Sequence, residues 1–195
     1  MKKITNFTIL IILLIGINLY SQETELKRTS IRTGIGIAYN DGHWETGTGI
    51  IYSIGYQKSY GKNNRMRINP NLIFGGFRPF GITDTRDQYY RLTTLGINLH
   101  YDLIRYKSLS IVTSTGVFGN YSRGLLGTGG FPKSNNNDSE YFDRLYFGGN
   151  LSLGLRISPK NKNLAYEIRP FNVQFGNKEF LLGYIMFGID FKLNK

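Results

Sequence analysis

The chain has 195 residues, with 24 Lys and Arg against 13 Asp and Glu, a formal net charge of +11 at pH 7, and no cysteine. That length suits one domain, and the lack of cysteine excludes a lipoprotein acylated at an N-terminal Cys and a disulfide-stapled domain. The 24 glycines, 14 tyrosines and 13 phenylalanines favour strands and tight turns over helices.

The N-terminus has the three-part layout of a secretory signal: the basic start Met1-Lys2-Lys3, the apolar run 9–17, and Ser21 before Gln22. A permanent membrane anchor is the alternative, but a spanning helix needs roughly 20 apolar residues and Asn18 interrupts this run. We therefore predict a signal peptide over residues 1–22 and a single exported domain over 23–195.

Removing residues 1–22 takes away two lysines and no acid, which leaves a formal charge of about +9 on the exported domain. A basic surface suits nucleic acid, acidic lipid or an anionic polymer. Export removes nucleic acid from this set. The expected partners are therefore outer-membrane lipids, anionic envelope polymers or other envelope proteins.

Apolar residues recur at every second position in eight segments, which is the period of a strand with one apolar face. The segments span about 29–40, 46–59, 65–77, 88–104, 108–121, 144–158, 164–175 and 180–193. The fifth is less regular, since Val112 and Phe118 lie on its otherwise polar face. In the seventh the apolar parity changes near Pro170, which predicts a β-bulge.

The connections between these segments alternate in length. The links at 61–64, 105–107 and 159–163 are short and basic, whereas those at 41–45, 78–87 and 122–143 are longer and rich in Gly, Asn, Asp and Ser. Only the last link, at 176–179, is short where a long one is expected. Short periplasmic turns and long external loops are typical of small outer-membrane barrels. The link at 122–143 is long enough to suggest mobility or binding.

A soluble β-sandwich also alternates, but its outward row should be charged. Here one row is apolar and its partner is mostly Gly, Ser, Asn, Thr and Gln, which suits the narrow interior of an eight-stranded barrel. Closure also pairs every backbone group that faces lipid. Aromatic residues recur near strand ends, as in a belt at lipid headgroups: Tyr39, Tyr56, Tyr89, Tyr90, Tyr101, Tyr121, Tyr141 and Phe142.

The predicted fold class is all-β: a closed up-and-down antiparallel transmembrane β-barrel of about eight strands. A soluble lipocalin-like barrel is the alternative, and it requires the apolar rows to face inward around a ligand. Three stretches, Arg67 to Leu72, Leu92 to Tyr101 and Leu182 to Phe191, resemble the outer-membrane β-barrel domain proteins of Bacteroidetes-type bacteria. The resemblance implies an eight-stranded barrel of mostly unassigned role, and it supplies no catalytic residues.

Nine charged or titratable residues of the polar rows are predicted to meet inside the barrel near its periplasmic end: Arg32, Arg65, Arg67, His100, Asp102, Arg156, Glu167, Arg169 and Asp190. Each is costly to bury without a partner. We therefore predict a salt-bridge network that plugs the lumen. The alternative is a gated path for ions or solutes.

The two histidines are the candidates for chemistry. His100 and Asp102 share a strand face and could form an acid–base pair, although no nucleophile is identifiable. His43 lies beside Trp44 and Glu45 in the first loop, where a metal or headgroup site is conceivable, but an exposed polar loop is expected. Gly-x-Gly strings such as Gly34-Ile35-Gly36 lie in strands without a following helix, so they are not phosphate loops. We expect no catalytic residues, no metal and no cofactor.

Three functions remain open from the sequence. The first is a non-enzymatic barrel with a structural, adhesive or interaction role through its external loops. The second is a narrow passive transport path for small solutes. The third is a lipid-modifying outer-membrane enzyme that uses His100 or His43.

Overall fold

The computed structural model describes residues 29–42, 45–61, 63–79, 88–127, 139–159 and 162–193. The predicted signal peptide and the residues His43 and Trp44 lie outside these ranges. The eight strands are β1 (Thr29–Asp41), β2 (Thr46–Tyr60), β3 (Met66–Arg78), β4 (Tyr89–Tyr106), β5 (Leu109–Gly127), β6 (Ser139–Ile157), β7 (Leu164–Gly176) and β8 (Leu181–Lys192). Within the described ranges, no helix is long and apolar enough to cross a membrane.

Every strand pairs antiparallel with the next along the chain, and β8 pairs with β1, so the sheet closes on itself. At the closure, Ile37 of β1 lies opposite Ile185 of β8. This confirms the predicted fold class, and it excludes the sandwich because a sandwich would leave two open sheets.

The two faces of each strand differ in burial as the alternation predicts. The outward row is apolar and exposed, with Ile37 71% and Leu95 62% exposed, whereas inward Arg67 and Asn69 are each 2% exposed. A water-soluble lipocalin-like barrel would show the reverse arrangement. The apolar rows therefore face the surroundings, not an interior ligand.

We call the end of the barrel where β1 begins and β8 ends the terminal end, and the opposite end the loop end. The terminal end carries short turns, and Asn64 and Lys107 in these turns adopt positive φ angles of 50° and 53°. The loop end carries the connections between β1 and β2, β3 and β4, β5 and β6, and β7 and β8. The short final link is confirmed: residues 177–180 connect β7 to β8, and Gly176 N donates to Phe180 O at 2.9 Å.

The prediction of one long loop at 122–143 is wrong in extent. β5 and β6 stay paired from Ser122 opposite Arg144 to Gly127 opposite Ser139. The alternation persists there, because Leu126 and Phe142 are buried while their neighbours Leu125 and Tyr141 are exposed. These two strands thus extend further at the loop end than the sequence predicts.

The bulge predicted near Pro170 is present. The register of β7 against β8 shifts between Arg169 and Asn172, and both of these side chains are buried. Between them, Pro170 and Phe171 both face outward. A proline is tolerated here because a bulge leaves a residue outside the ladder.

The predicted aromatic belt is partly wrong. Tyr89 and Tyr141 are exposed, but Tyr90 and Phe142 are 0% and 7% exposed and face the lumen. Consecutive strand residues point to opposite faces, so only one member of each pair can reach the outside. The inward aromatic residues belong to the interior described below.

Candidate functional site

The lumen at the terminal end contains a layer of buried charge centred on Glu167. Arg32 Nη1 lies 2.9 Å from Glu167 Oε2, and Arg156 Nη1 lies 3.5 Å from the same oxygen. Arg169 Nε donates to the other carboxylate oxygen. Glu167 is 2% exposed, so three guanidiniums surround one carboxylate in a water-poor interior.

A second carboxylate, Asp190, ties the same arginines to β8. Arg156 Nη1 forms an ion pair with Asp190, and Arg32 Nη1 lies 3.5 Å from Asp190 Oδ1. Gln57 Nε2 also donates to Asp190 Oδ2 at 3.2 Å. Arg32 and Arg156 therefore each bridge two carboxylates, and the cluster links β1, β2, β6, β7 and β8.

A third carboxylate, Asp102, lies among basic groups of β3 and β4. Arg67 Nη1 lies 2.6 Å from Asp102 Oδ1, and Arg105 pairs with Oδ2. Arg105 also donates to the carbonyl of Asn63 at 2.7 Å, which fixes the turn between β2 and β3. Asp102 N donates to the carbonyl of Arg65 at 3.0 Å. This cluster anchors the terminal ends of β3 and β4.

His100 is fully buried, and its Nδ1 lies 3.0 Å from Arg169 Nη2. A guanidinium can only donate, so Nδ1 is the acceptor and the imidazole is neutral. The carboxylate of Asp102 is occupied by Arg67 and Arg105 instead. The acid–base pair weighed from the sequence is therefore not formed in this arrangement.

Eight of the nine sequence-predicted residues are buried in this charge layer: Arg32, Arg67, His100, Asp102, Arg156, Glu167, Arg169 and Asp190. The ninth, Arg65, directly precedes β3 and is half-buried at the rim. Sequence reasoning missed Arg105, because a register shift after Asp102 places this exposed residue opposite the buried Ser110, from where its guanidinium reaches Asp102. No simple sequence signal marks that bulge.

A layer of amide and hydroxyl groups follows toward the middle of the barrel. Asn150 Nδ2 donates to Asn98 Oδ1 at 2.8 Å, and Asn98 Nδ2 donates to Asn71 Oδ1 at 3.2 Å. The first bond passes over β5, where Gly116 lies opposite both Asn98 and Asn150. A Cβ at Gly116 would lie 2.4 Å from Asn98 Oδ1. Glycine at this position therefore makes room for the bond.

A small cavity lies between the charge layer and the amide layer. It has a volume of about 10 Å³ and is lined in part by Arg32, Asn69, Asn98 and Arg169. That volume holds about one water molecule. The side chains of the described residues thus leave little free space at this level.

The loop-end half of the lumen is apolar, which corrects the expectation that small polar residues line the whole interior. Phe77 stacks on Tyr90 with ring centroids 5.1 Å apart, and Tyr146 stacks on Phe180 at 4.8 Å. Phe118 packs on Phe180 at 5.7 Å. These side chains are between 0% and 4% exposed. Large rings fit here because glycines such as Gly49, whose Cβ would lie 2.8 Å from the Phe77 ring, adjoin them.

Glu45, which directly precedes β2, is fully buried next to this apolar layer. The sequence predicts an exposed loop at this position, so that prediction is wrong for Glu45. Its carboxylate accepts a hydrogen bond from Tyr146 Oη, and its carbonyl accepts one from Asn40 Nδ2 at 2.9 Å. Burial raises the pKa of Glu45 above its ordinary value of 4.5, although the Tyr146 hydrogen bond and the charge of Arg144 lower it. The loop residue Glu45 is therefore drawn into the mouth of the barrel.

The metal site weighed at His43 lies outside the described residues. Within the described ranges, no group of three or more His, Cys, Asp and Glu side chains is arranged to hold a metal. The lumen contains a charged layer and an apolar layer in series. This geometry can restrict the passage of solutes through the barrel.

Comparison with known proteins adds a fold relationship. The chain is similar to the solved structure of Neisserial surface protein A, with 11% identity, a TM-score of 0.60, and coverage of 85% of this chain and 97% of that one. It is also similar to Ail, the attachment invasion locus protein of Yersinia pestis, with 14% identity, a TM-score of 0.51 and the same coverage. A second Ail structure, with a TM-score of 0.52, holds the heparin analogue sucrose octasulfate.

The sequence matches no family model and no curated protein. At such low identities, the likeness to Neisserial surface protein A and Ail shows the eight-stranded barrel fold. The resemblance to the Bacteroidetes-type barrel domains stays a prediction.

Proposed function

We propose that residues 23–195 form a non-enzymatic barrel of the bacterial outer membrane, with a closed lumen and an interaction role at its loop end. The observation that carries the proposal is the outward apolar row. Ile37, Ile50, Leu95 and Val117 are each more than 60% exposed. Soluble proteins rarely expose an apolar surface of this continuity, whereas lipid requires it.

The proposed orientation places the terminal end in the periplasm. Two of the four loop-end connections, 79–88 and 128–138, are longer than every turn at the terminal end, and long external loops with short periplasmic turns are the arrangement of small outer-membrane barrels. The signal over residues 1–22 would deliver the chain to the periplasm, where it would be removed. In this orientation the charge layer lies on the periplasmic side, and Glu45 and the apolar layer lie on the external side.

A non-conducting role follows from the packing in the lumen. Four guanidiniums and three carboxylates among the described residues are buried at the terminal end, and stacked aromatic rings fill the loop end. A solute would have to break both layers. The transport hypothesis is therefore the weaker one, and the enzymatic hypothesis has no nucleophile or free acid–base pair at His100.

The loop end is the proposed contact surface for anionic envelope partners. The exported domain is strongly basic, and the structurally similar Ail has been solved with a heparin analogue. For this chain, we propose that anionic polymers or lipids of the envelope are recognised at that end.

Membrane fractionation combined with heat-modifiable gel mobility tests the location and the fold together. The proposal predicts that the protein sediments with the outer membrane and that unheated samples migrate differently from boiled ones. A protein found wholly in the soluble fraction would contradict the proposal.

A further inference from the structure

Two arginines lie directly opposite each other on the outer surface at the loop end. Arg91 of β4 is in register with Arg123 of β5, and both side chains are exposed on the outward row. Residues paired in this way have Cβ atoms about 4.5–5.5 Å apart, and like charges so placed destabilise a sheet. An anion between them would remove this repulsion.

Tyrosines hold both guanidiniums near the sheet. The Arg91 guanidinium carbon lies 5.9 Å from the ring centre of Tyr89, and that of Arg123 lies 5.9 Å from the ring centre of Tyr121. Arg91 Nε also donates to Tyr89 Oη at 3.4 Å. Cation–π contacts of this kind orient a guanidinium without neutralising it.

The charge at this position is not balanced within the described part of the chain. No described carboxylate lies within ion-pair distance of either guanidinium, and the carboxylate nearest in register is Asp143, opposite Arg123 on β6. On the other side, Arg91 is opposite Gly76, which presents no side chain, and Arg78 follows two residues later on β3. Among the described residues, this stretch of the outward row therefore carries three guanidiniums and one carboxylate, and the carboxylate is opposite Arg123 alone.

The position of the pair along the strands indicates the ligand. Two residues further into β4, Thr93 lies opposite Tyr121, and then Leu95 is 62% exposed in the apolar band. Arg91 and Arg123 thus lie near the loop-end border of the apolar band, with the exposed pair Tyr89 and Leu125 beyond them. Tyrosines and arginines in this position are typical of the level of lipid headgroups. Guanidiniums bind phosphate with paired, charge-assisted hydrogen bonds.

We propose that Arg91 and Arg123 form a clamp for a phosphate group of an anionic lipid in the outer leaflet. Tyr89 and Tyr121 orient the two guanidiniums, and the Tyr89 ring lies against Gly76 beside the clamp. The inference rests on the orientation given under Proposed function, which places the loop end outside.

The test uses the mature protein in detergent micelles and compares diphosphorylated lipid A with the same lipid after removal of its phosphates. The clamp predicts that the phosphorylated lipid raises the unfolding temperature and the dephosphorylated lipid does not. The variant Arg91→Gln/Arg123→Gln is expected to bind the phosphorylated lipid at least about tenfold more weakly. Both side chains are exposed, so the variant is expected to fold.

Lys58→Gln is the matched control, since Lys58 is an exposed cation over the Tyr60 ring, 5.6 Å from its centre, at the terminal end. It is expected to bind the lipid like the wild type. Equal binding by the double arginine variant, or equal loss in Lys58→Gln, would overturn the clamp. A full temperature shift with inorganic phosphate alone would also overturn it, in favour of a site for free anions.

Orientation is checked separately by thiol labelling. The labelling is specific because the natural chain has no cysteine. Ser139→Cys places one thiol at the loop end, and a membrane-impermeant maleimide added to whole cells is expected to label it. If the thiol is protected while the phosphorylated lipid still binds in micelles, the outer-leaflet assignment and the proposed orientation fail together, but the phosphate contact itself stands.

Discussion

Arg32 in β1 and Glu167 in β7 form a buried ion pair of 2.9 Å although 135 residues and one whole strand, β8, separate them. The pair spans the lumen side of β8 and ties together strands that share no backbone hydrogen bonds. Because Arg156 and Arg169 also contact Glu167, this carboxylate holds the charge layer together.

Replacing Glu167 by Gln is expected to destabilise the barrel strongly. The substitution keeps the shape but leaves three buried guanidiniums with less compensating charge, and removing one partner of a buried ion pair costs about 3–5 kcal/mol. Urea unfolding in micelles measures the loss. Glu140→Gln, at an exposed position of β6, is the control and should change the free energy of unfolding by less than about 0.5 kcal/mol. Equal stability of the two variants would contradict the role of Glu167.

Substitutions at Asp102 and at Arg67 are expected to lower the free energy of unfolding by different amounts. In Asp102→Asn, the buried Arg67 loses its only ion-pair partner among the described residues, whereas in Arg67→Met the carboxylate keeps Arg105. Arg67 Nε and Nη2 also have no hydrogen-bond partner among the described residues, so their removal relieves a cost. Unfolding free energies should therefore fall more for Asp102→Asn than for Arg67→Met. The opposite order would show that Arg67 contributes more through other contacts.

The buried carboxyl of Glu45 is expected to make the stability of the loop end depend on pH. Below pH 4.5 the carboxyl is protonated in both the folded and the unfolded chain. As the pH rises from there toward the raised pKa, the unfolded chain releases its proton and the folded chain retains it. Stability therefore falls over this interval and stays lower above it.

Glu45→Gln imitates the protonated form, so this variant should lose the decline. Hydrogen exchange of residues 40–46 between pH 4 and pH 8 reports the effect at this place. Protection that decreases with pH in the wild type and not in Glu45→Gln supports the burial of Glu45. The same profile in both proteins would contradict it.

Gly116→Ala is expected to break the hydrogen bond between the side-chain amides of Asn150 and Asn98, which crosses β5. A Cβ there would lie 2.3 Å from Ile97 O and 2.4 Å from Asn98 Oδ1, so Asn98 must move away from Asn150. Overpacking of this kind costs about 1–3 kcal/mol. Unfolding measurements should show that loss, and Asn98→Ala on the Gly116→Ala background should cost less than in the wild type. Additive losses would mean that the two sites are independent.

The sequence predicts well which residues face inward and which face outward, because the alternation with a period of two is a local property of each strand. It also marks the bulge near Pro170, where the parity changes. It does not reveal that Arg32 meets Glu167, because cross-lumen contacts depend on the stagger of a closed barrel. Glu45 shows a further limit, since it lies in a loop without strand alternation and its burial follows from contacts with the distant residues Tyr90 and Tyr146.

We propose that the charge layer and the apolar layer together close the lumen, and planar-bilayer recording of the purified protein measures this closure. Breaking the charge layer with Glu167→Gln leaves the apolar layer of Phe77, Tyr90, Tyr146 and Phe180 in place, so this variant should stay closed as well. We expect no steady conductance from the wild type or from Glu167→Gln. A large, steady conductance from the wild type would contradict it.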